Sequence, residues 1–520
     1  MKKIYILLVA IFAISSTSCS DYLDSDYIFE DRETIDKVFT DYKKTEQWLA
    51  QAYTYLLGQC CDVASKRNTP FVFDDCMYYG DDDVTVDATK GGALSYNKFR
   101  EGAYDENTFQ DTWNRCYNGI RQASIFIQYA DMSIEHSAEE IIDLKAQARF
   151  VRAYYYWLLL RKYGPIPLVP DEGFDYNQSY EDLELPRNTY DECVDYIAKE
   201  MVLAAQGLPL KRDQLSITRP TRGAALATRA LAMLYAASPL MNGNDDAYAQ
   251  QMTNRDGKRL LNPVYDNSKW AKAAAACKDV MGLGVYHIYT ADFRSTHSIA
   301  FPATIAPPIH PEYSYKNFPE GWQNIDPFES YRSLFNGDLI ASNNPELIFT
   351  RGVNTRKGGE DIEVMVQHQM PFQMKGYNCH GITLKQCDAY YTNTGEDIPG
   401  KDDYLGRGDG SKRRTGFVTK DTEEQYKPLK EGVSLQYAER EPRFYASVAY
   451  NGSVWEMSTS YDDYNRFYRA WYYHDSNDGK VAQTGDLYLR TGIGIKKFYN
   501  PQDSYMNGGR ITPKLDTAIR

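Results

Sequence analysis

Trp322 follows Gly321 in a proline-rich stretch where a large aromatic has little helical core to join. Tyr313, Tyr315 and Tyr331 lie close to it in sequence. Rings of this kind offer flat faces for the apolar C–H side of a sugar, and their polar tips can meet its hydroxyls. Tyr377, Asn378 and His380 form a second candidate group, in a loop bounded by Gly376 and Gly381, that joins stacking to hydrogen bonding. Tyr78, Tyr79, Tyr96 and Arg100 form a third. It sits beside the run Asp81-Asp82-Asp83, which suits a calcium ion, a sugar hydroxyl or simply a solvated acidic turn. The same aromatics would serve equally as packing under loops. With 44 Tyr, 21 Phe and 7 Trp in the chain, most of the tyrosines are assigned to a large solvated surface. Trp113 and Trp157 fall on helical faces and read as core.

Motifs for bond-breaking chemistry are missing from the sequence. It contains no His-Glu-x-x-His, no Gly-x-Ser-x-Gly elbow and no phosphate-binding Gly-Lys-Ser/Thr loop. Its seven histidines are isolated, with none at metal-ligand spacing from another. Arg407-Gly408-Asp409 is too short a match to weigh. A glycosidase needs two carboxylates at a defined separation. Nothing singles out such a pair among 71 acidic residues. The reading is a binding protein, not an enzyme, with no cofactor and no metal site that can be named.

Cys19 carries a different chemistry. Lys2 and Lys3, the apolar run Ile4 to Ile14 and the small residues Ser15 to Ser18 lead up to it. A run of eleven residues is shorter than the roughly 20 needed to span a bilayer. It therefore reads as a cleaved export signal over 1–18, with Cys19 as the lipidated first residue of a surface-tethered protein. Ser16 stands where the commonest lipobox has Leu. Losing the signal removes two lysines and takes the formal charge from −13 to −15. So acidic a body repels phosphate backbones and anionic headgroups, which excludes nucleic acid and leaves the lipid as the membrane device. Apart from Cys19 the cysteines are irregularly spaced: Cys60, Cys61, Cys76, Cys116, Cys193, Cys277, Cys379 and Cys387 give no readable disulfide framework.

The elements that must position these groups change character along the chain. Ser137 with Glu140, and Thr189 with Glu192, are capping boxes that open two long helices. Leu144, Ala148, Val151, Tyr155 and Leu158 share a face of the first, which Gly164-Pro165 ends. Further amphipathic segments cover about 35–57, 110–130, 222–237 and 269–281. The last two are rich in alanine on faces suited to close helix crossings, as in tetratricopeptide-like pairs. From about residue 290 prolines crowd the chain and exclude long helices. Residues 395–432 read as a glycine-rich surface excursion, and Asn451-Gly452 predicts a hairpin between 444–450 and 453–457. The expected fold is mainly α. A helical scaffold over 19–290 carries an irregular, loop-rich region with a small hairpin over 291–520.

An ordered series of segments resembles the SusD/RagB family of nutrient-binding outer-membrane lipoproteins. It begins at Cys19-Ser20-Asp21-Tyr22-Leu23-Asp24 and continues through Trp113-Asn114-Arg115-Cys116-Tyr117-Asn118-Gly119-Ile120. The most specific piece runs from Arg149 and Arg152-Ala153-Tyr154 to Tyr163-Gly164-Pro165-Ile166-Pro167-Leu168. Arg219 and Gly223-Ala224-Ala225, then Trp270-Ala271-Lys272-Ala273, follow in order. Asn344-Pro345-Glu346-Leu347-Ile348-Phe349, Glu441-Pro442-Arg443-Phe444-Tyr445-Ala446 and Gly492 to Phe498 complete the series.

The resemblance implies a non-catalytic, cell-surface lipoprotein of the outer membrane. Such a protein would act as a lid on a TonB-dependent, SusC-like transporter and capture a glycan or oligosaccharide for uptake. A peptide-binding member of the family and a lipid-anchored glycoside hydrolase are the rival readings. Family members usually run on past a segment like Leu515 to Arg520 into further helices, so a truncated chain is expected. The family's ligand loops vary, so no ligand residue transfers from it.

Overall fold

The computed structural model describes residues 34–56, 75–79, 110–174, 177–294, 302–350, 362–401, 412–458, 466–485, 487–507 and 510–512. The expectations placed on Cys19, Cys60, Cys61, Asp81 to Asp83, Tyr96, Arg100 and Arg407 to Asp409 lie outside the described residues, as does the side chain of Tyr79.

Helices dominate the first half: α1 (Ile35–Phe39), α2 (Tyr42–Tyr53), α3 (Gln110–Tyr129), α4 (Ala138–Tyr163), α5 (Tyr190–Gly207), α6 (Arg222–Ala237) and α7 (Ser268–Met281). They pack in series, α2 on α3, α3 on α4, and so on to α7, which is the arrangement of stacked helix pairs. Local chemistry sets their ends. The predicted boxes close at Ser137/Glu140 and Thr189/Glu192, and Gly164 caps α4 at φ 72°. The segment expected as one helix over 35–57 breaks at Asp41, which caps α2 by accepting from the Lys44 amide.

Small residues let these helices approach. A Cβ on Gly119 would stand 2.3 Å from the Tyr155 ring, so only glycine allows α3 to lie this close to α4. In α6, Ala224, Ala225, Ala232 and Ala236 are buried as predicted. The last helix differs: α7 buries only Ala273 and Ala276 and leaves Trp270 and Met281 exposed. Cys116 and Cys193 are fully buried among apolar side chains, and burial pushes the Cys193 thiol up to about 11. Cys277 is exposed. Trp157 is core, and Trp113 packs between Tyr117 and Tyr163. Across α4 and α5, buried Arg152 meets Glu200 at 2.7 Å and Asp171 at 3.0 Å, while Arg149 reaches Glu200 at 2.9 Å.

The second half is built from short pieces. Phe349 anchors it by packing edge-on against Phe150 and near Tyr154 of α4. A four-stranded antiparallel sheet joins β1 (Met77–Tyr79), β4 (His380–Ile382), β8 (Gly494–Ile495) and β5 (Val448–Ala449) in that spatial order. Ala291–Asp292 (β2) pairs with Ile325–Asp326 (β3), and Ser453–Glu456 (β6) with Phe467–Ala470 (β7). The predicted hairpin is therefore corrected. Gly452 makes the turn at φ 85°, but residues 442–447 form a helix and β6 takes β7 as its partner. Pro442 at the first helical position is pre-set for a helix and lacks the amide a strand would need.

Candidate functional site

The Trp322 loop begins after Pro302 and returns at β3. Its base is rigid and polar. The Thr304 hydroxyl donates to Asp326 at 2.6 Å, and the same carboxylate caps helix α8 (Pro327–Arg332) by accepting from the Glu329 amide. Below it Arg332, buried, bonds Glu329 through two nitrogens and reaches Asp338 at 2.9 Å. Asn500 ties Asp338 to the chain terminus-ward at 2.9 Å. Burial pushes the Glu329 carboxyl above its ordinary value despite the pull of the Arg332 charge.

The tip is internally bonded and open to water. The Trp322 amide donates to the Tyr313 carbonyl at 3.1 Å, Gly321 to Asn317 at 3.0 Å and Phe318 to the Asn324 side chain at 2.9 Å. A Cβ on Gly321 would fall 2.0 Å from the Tyr313 oxygen, so the close approach requires glycine. Tyr313 and Tyr315 are 46% and 65% exposed, and Trp322 is half-buried beside them. The charge of Glu312 pushes the Tyr313 phenol above its ordinary value. The structure thus brings Trp322, Tyr313 and Tyr315 into one fixed loop.

Tyr331 does not join them. It sits on α8, half-buried, against Phe335 at 5.0 Å and under the Lys497 ammonium. Tyr78 and Tyr79 of the third predicted group share a neighbourhood with the second, because β1 pairs with β4 and sets Tyr78 opposite Gly381 and Tyr79 opposite His380. Only its edges reach solvent. Tyr377 is 36% exposed, whereas Asn378 and His380 are fully buried. Asn378 sits at φ 51° and donates to the Asp478 carbonyl at 2.8 Å, a bond that fixes the loop from within. Sequence reasoning passed over His310, whose ring stacks on Tyr313 at 4.8 Å and 22°. Its place two residues before Glu312 and three before Tyr313 was the available signal.

A family model described as starch-binding associating with outer membrane matches residues 78–235, and one described as SusD family matches residues 345–514. The chain is a SusD/RagB family protein. Solved structures agree on the fold. The protein BT4246 superposes with a TM-score of 0.69 at 21% identity, over 90% of this chain and 74% of that one. A SusD-like protein from Bacteroides fragilis NCTC 9343 gives 0.61 at 18%, over 93% and 74%. A SusD-like carbohydrate binding protein from the same strain gives 0.53 at 16%, over 92% and 72%. No curated protein matches. SusD family proteins are carbohydrate-binding and non-catalytic, and the first model's description associates them with the outer membrane. Among the described residues no helix is long and apolar enough to cross a membrane.

Proposed function

We propose that this SusD/RagB protein is a cell-surface lipoprotein, tethered through Cys19, that captures a glycan and passes it to a TonB-dependent outer-membrane transporter. Residues 19–290 are the scaffold in this reading and 291–520 carry the binding surface. The observation that carries it is the Trp322 loop, where exposed aromatics stand on a buried, ion-paired base. Aromatic faces preorganised in this way can stack on sugar rings without first losing conformational freedom. Tyr313, Tyr315 and Trp322 would provide the stacking surface. Tyr78 and Tyr377 would form a secondary rim, to which Tyr79, Tyr96 and Arg100 are assigned on sequence alone.

The lipidated protein, purified from detergent-solubilised outer membranes, is expected to bring down a TonB-dependent transporter in stoichiometric amount, read by mass spectrometry. An intact, surface-exposed protein with no such partner sinks the lid model. For the binding site, Trp322→Ala is expected to weaken binding of the tightest oligosaccharide in a glycan screen by roughly tenfold, about 1.4 kcal/mol. Because the ring lies at an open loop, the melting temperature should barely move. Unchanged affinity removes Trp322 from the site.

A further inference from the structure

The 310–314 turn carries Tyr313 at its crest, and His310 touches it in three ways. The His310 amide donates to the Ser314 hydroxyl at 2.8 Å, and the Ser314 amide returns to the His310 carbonyl at 3.0 Å. The Glu312 amide donates to His310 Nδ1 at 3.1 Å. That bond uses the Nδ1 lone pair and so places the ring proton on Nε2. The imidazole, turned by this bond, lies nearly parallel to the Tyr313 ring at 4.8 Å. The backbone of Tyr313 is held as well. Its carbonyl accepts the Trp322 amide, so the orientation of the turn is transmitted to the second aromatic.

We infer that His310 is the positioning residue of the aromatic platform, fixing Tyr313 by ring stacking and by accepting the Glu312 amide. The inference rests on the reading of this loop as the glycan platform.

The test is calorimetric titration of the full chain with hexasaccharides of the malto-, cello-, laminari-, xylo- and manno-series, followed by variants against the tightest. His310→Asn keeps an acceptor for the Glu312 amide but no ring, and His310→Phe keeps the ring but no acceptor. His310→Ala keeps neither and is expected to bind about tenfold more weakly at pH 7.5, with the other two between it and the native chain. His310→Ala within about twofold of native, with Trp322→Ala still impaired, overturns the inference and leaves the site standing. A loss in His310→Ala that His310→Asn and His310→Phe both share in full also overturns it, because neither the acceptor nor the ring would then matter. If no probe binds, or Trp322→Ala binds like native, the platform reading falls and takes this inference with it.

Discussion

The helical array and the loop-bearing half bury polar groups to different extents, and for different ends. Among the described residues, ten buried polar side chains lie between Thr45 and Asn244 and twenty between Ser314 and Asp503. Regular helices satisfy their own amides, so apolar faces and small residues suffice to join them. Irregular chain must find partners for its amides elsewhere, and in the second half side chains supply them. Asn500, Asp478, Asp326 and Asn378 each tie together segments remote in sequence or structure. A binding loop held this way can vary at its tip without disturbing the base.

The largest expected contrast comes from removing one buried arginine from each half. Arg332→Met takes the guanidinium from Glu329, which is 1% exposed. Breaking such a pair costs about 3–5 kcal/mol, read by denaturant unfolding. Arg152→Met in the array should cost clearly less, because Glu200 keeps Arg149 at 2.9 Å and α4 and α5 remain packed by apolar contacts. Equal losses from the two variants would break the comparison. Since burial already pushes Glu329 toward its neutral form, the Arg332→Met penalty should shrink in acid.

Proton linkage separates the halves next, and with opposite sign. Asp478 is fully buried, accepts the Gln373 amide at 3.0 Å and meets the Tyr468 hydroxyl at 2.5 Å. Burial pushes its carboxyl from 3.8 up to about 6. A raised folded value means the native state holds the proton more tightly. Its contribution is complete below about pH 4 and is lost as pH rises through about 6, an effect of at most about 3 kcal/mol. Glu192 in the array behaves oppositely. The Lys258 hydrogen bond, then the Thr189 amide, hold it at about 2, so its contribution is present above its ordinary value and lost only as pH falls through about 2. Taking the native chain from pH 7 to 5 should therefore raise the melting temperature, and Asp478→Asn should abolish that rise. A native chain less stable at pH 5 than at pH 7 would contradict the assignment.

What was legible in the sequence follows the same division. The array could be read because its signals are local: Ser137 and Glu140 are three residues apart, and the burial of Val151 and Tyr155 follows from helical spacing. In the second half the decisive partners are distant. Nothing near Tyr78 announces that it will lie opposite Gly381, and nothing near Asn451-Gly452 reveals that β6 pairs forward with β7. The loop of Trp322, Tyr313 and Tyr315 was readable because proline crowding and Gly321 mark it locally. That Asn378 and His380 are buried and Tyr331 half-buried is not legible from side-chain type, because burial there is set by segments a hundred or more residues away.

The smallest expected effect sharpens the comparison from the array's side. Thr189 accepts the Glu192 amide at 3.1 Å, and Glu192 returns to the Thr189 amide at 2.8 Å. Thr189→Ala removes one of these two bonds and should destabilise the chain by about 1 kcal/mol. Glu192 also accepts from Lys258, so the carboxylate stays anchored in the variant and the remaining half of the box survives. The loss should therefore appear in the melting temperature and leave glycan affinity untouched, because α5 packs against α4 and α6 within the array. A matching loss of affinity would mean that the two halves do not respond separately. The contrast between a locally capped scaffold and a polar-bonded binding loop would then have to be given up.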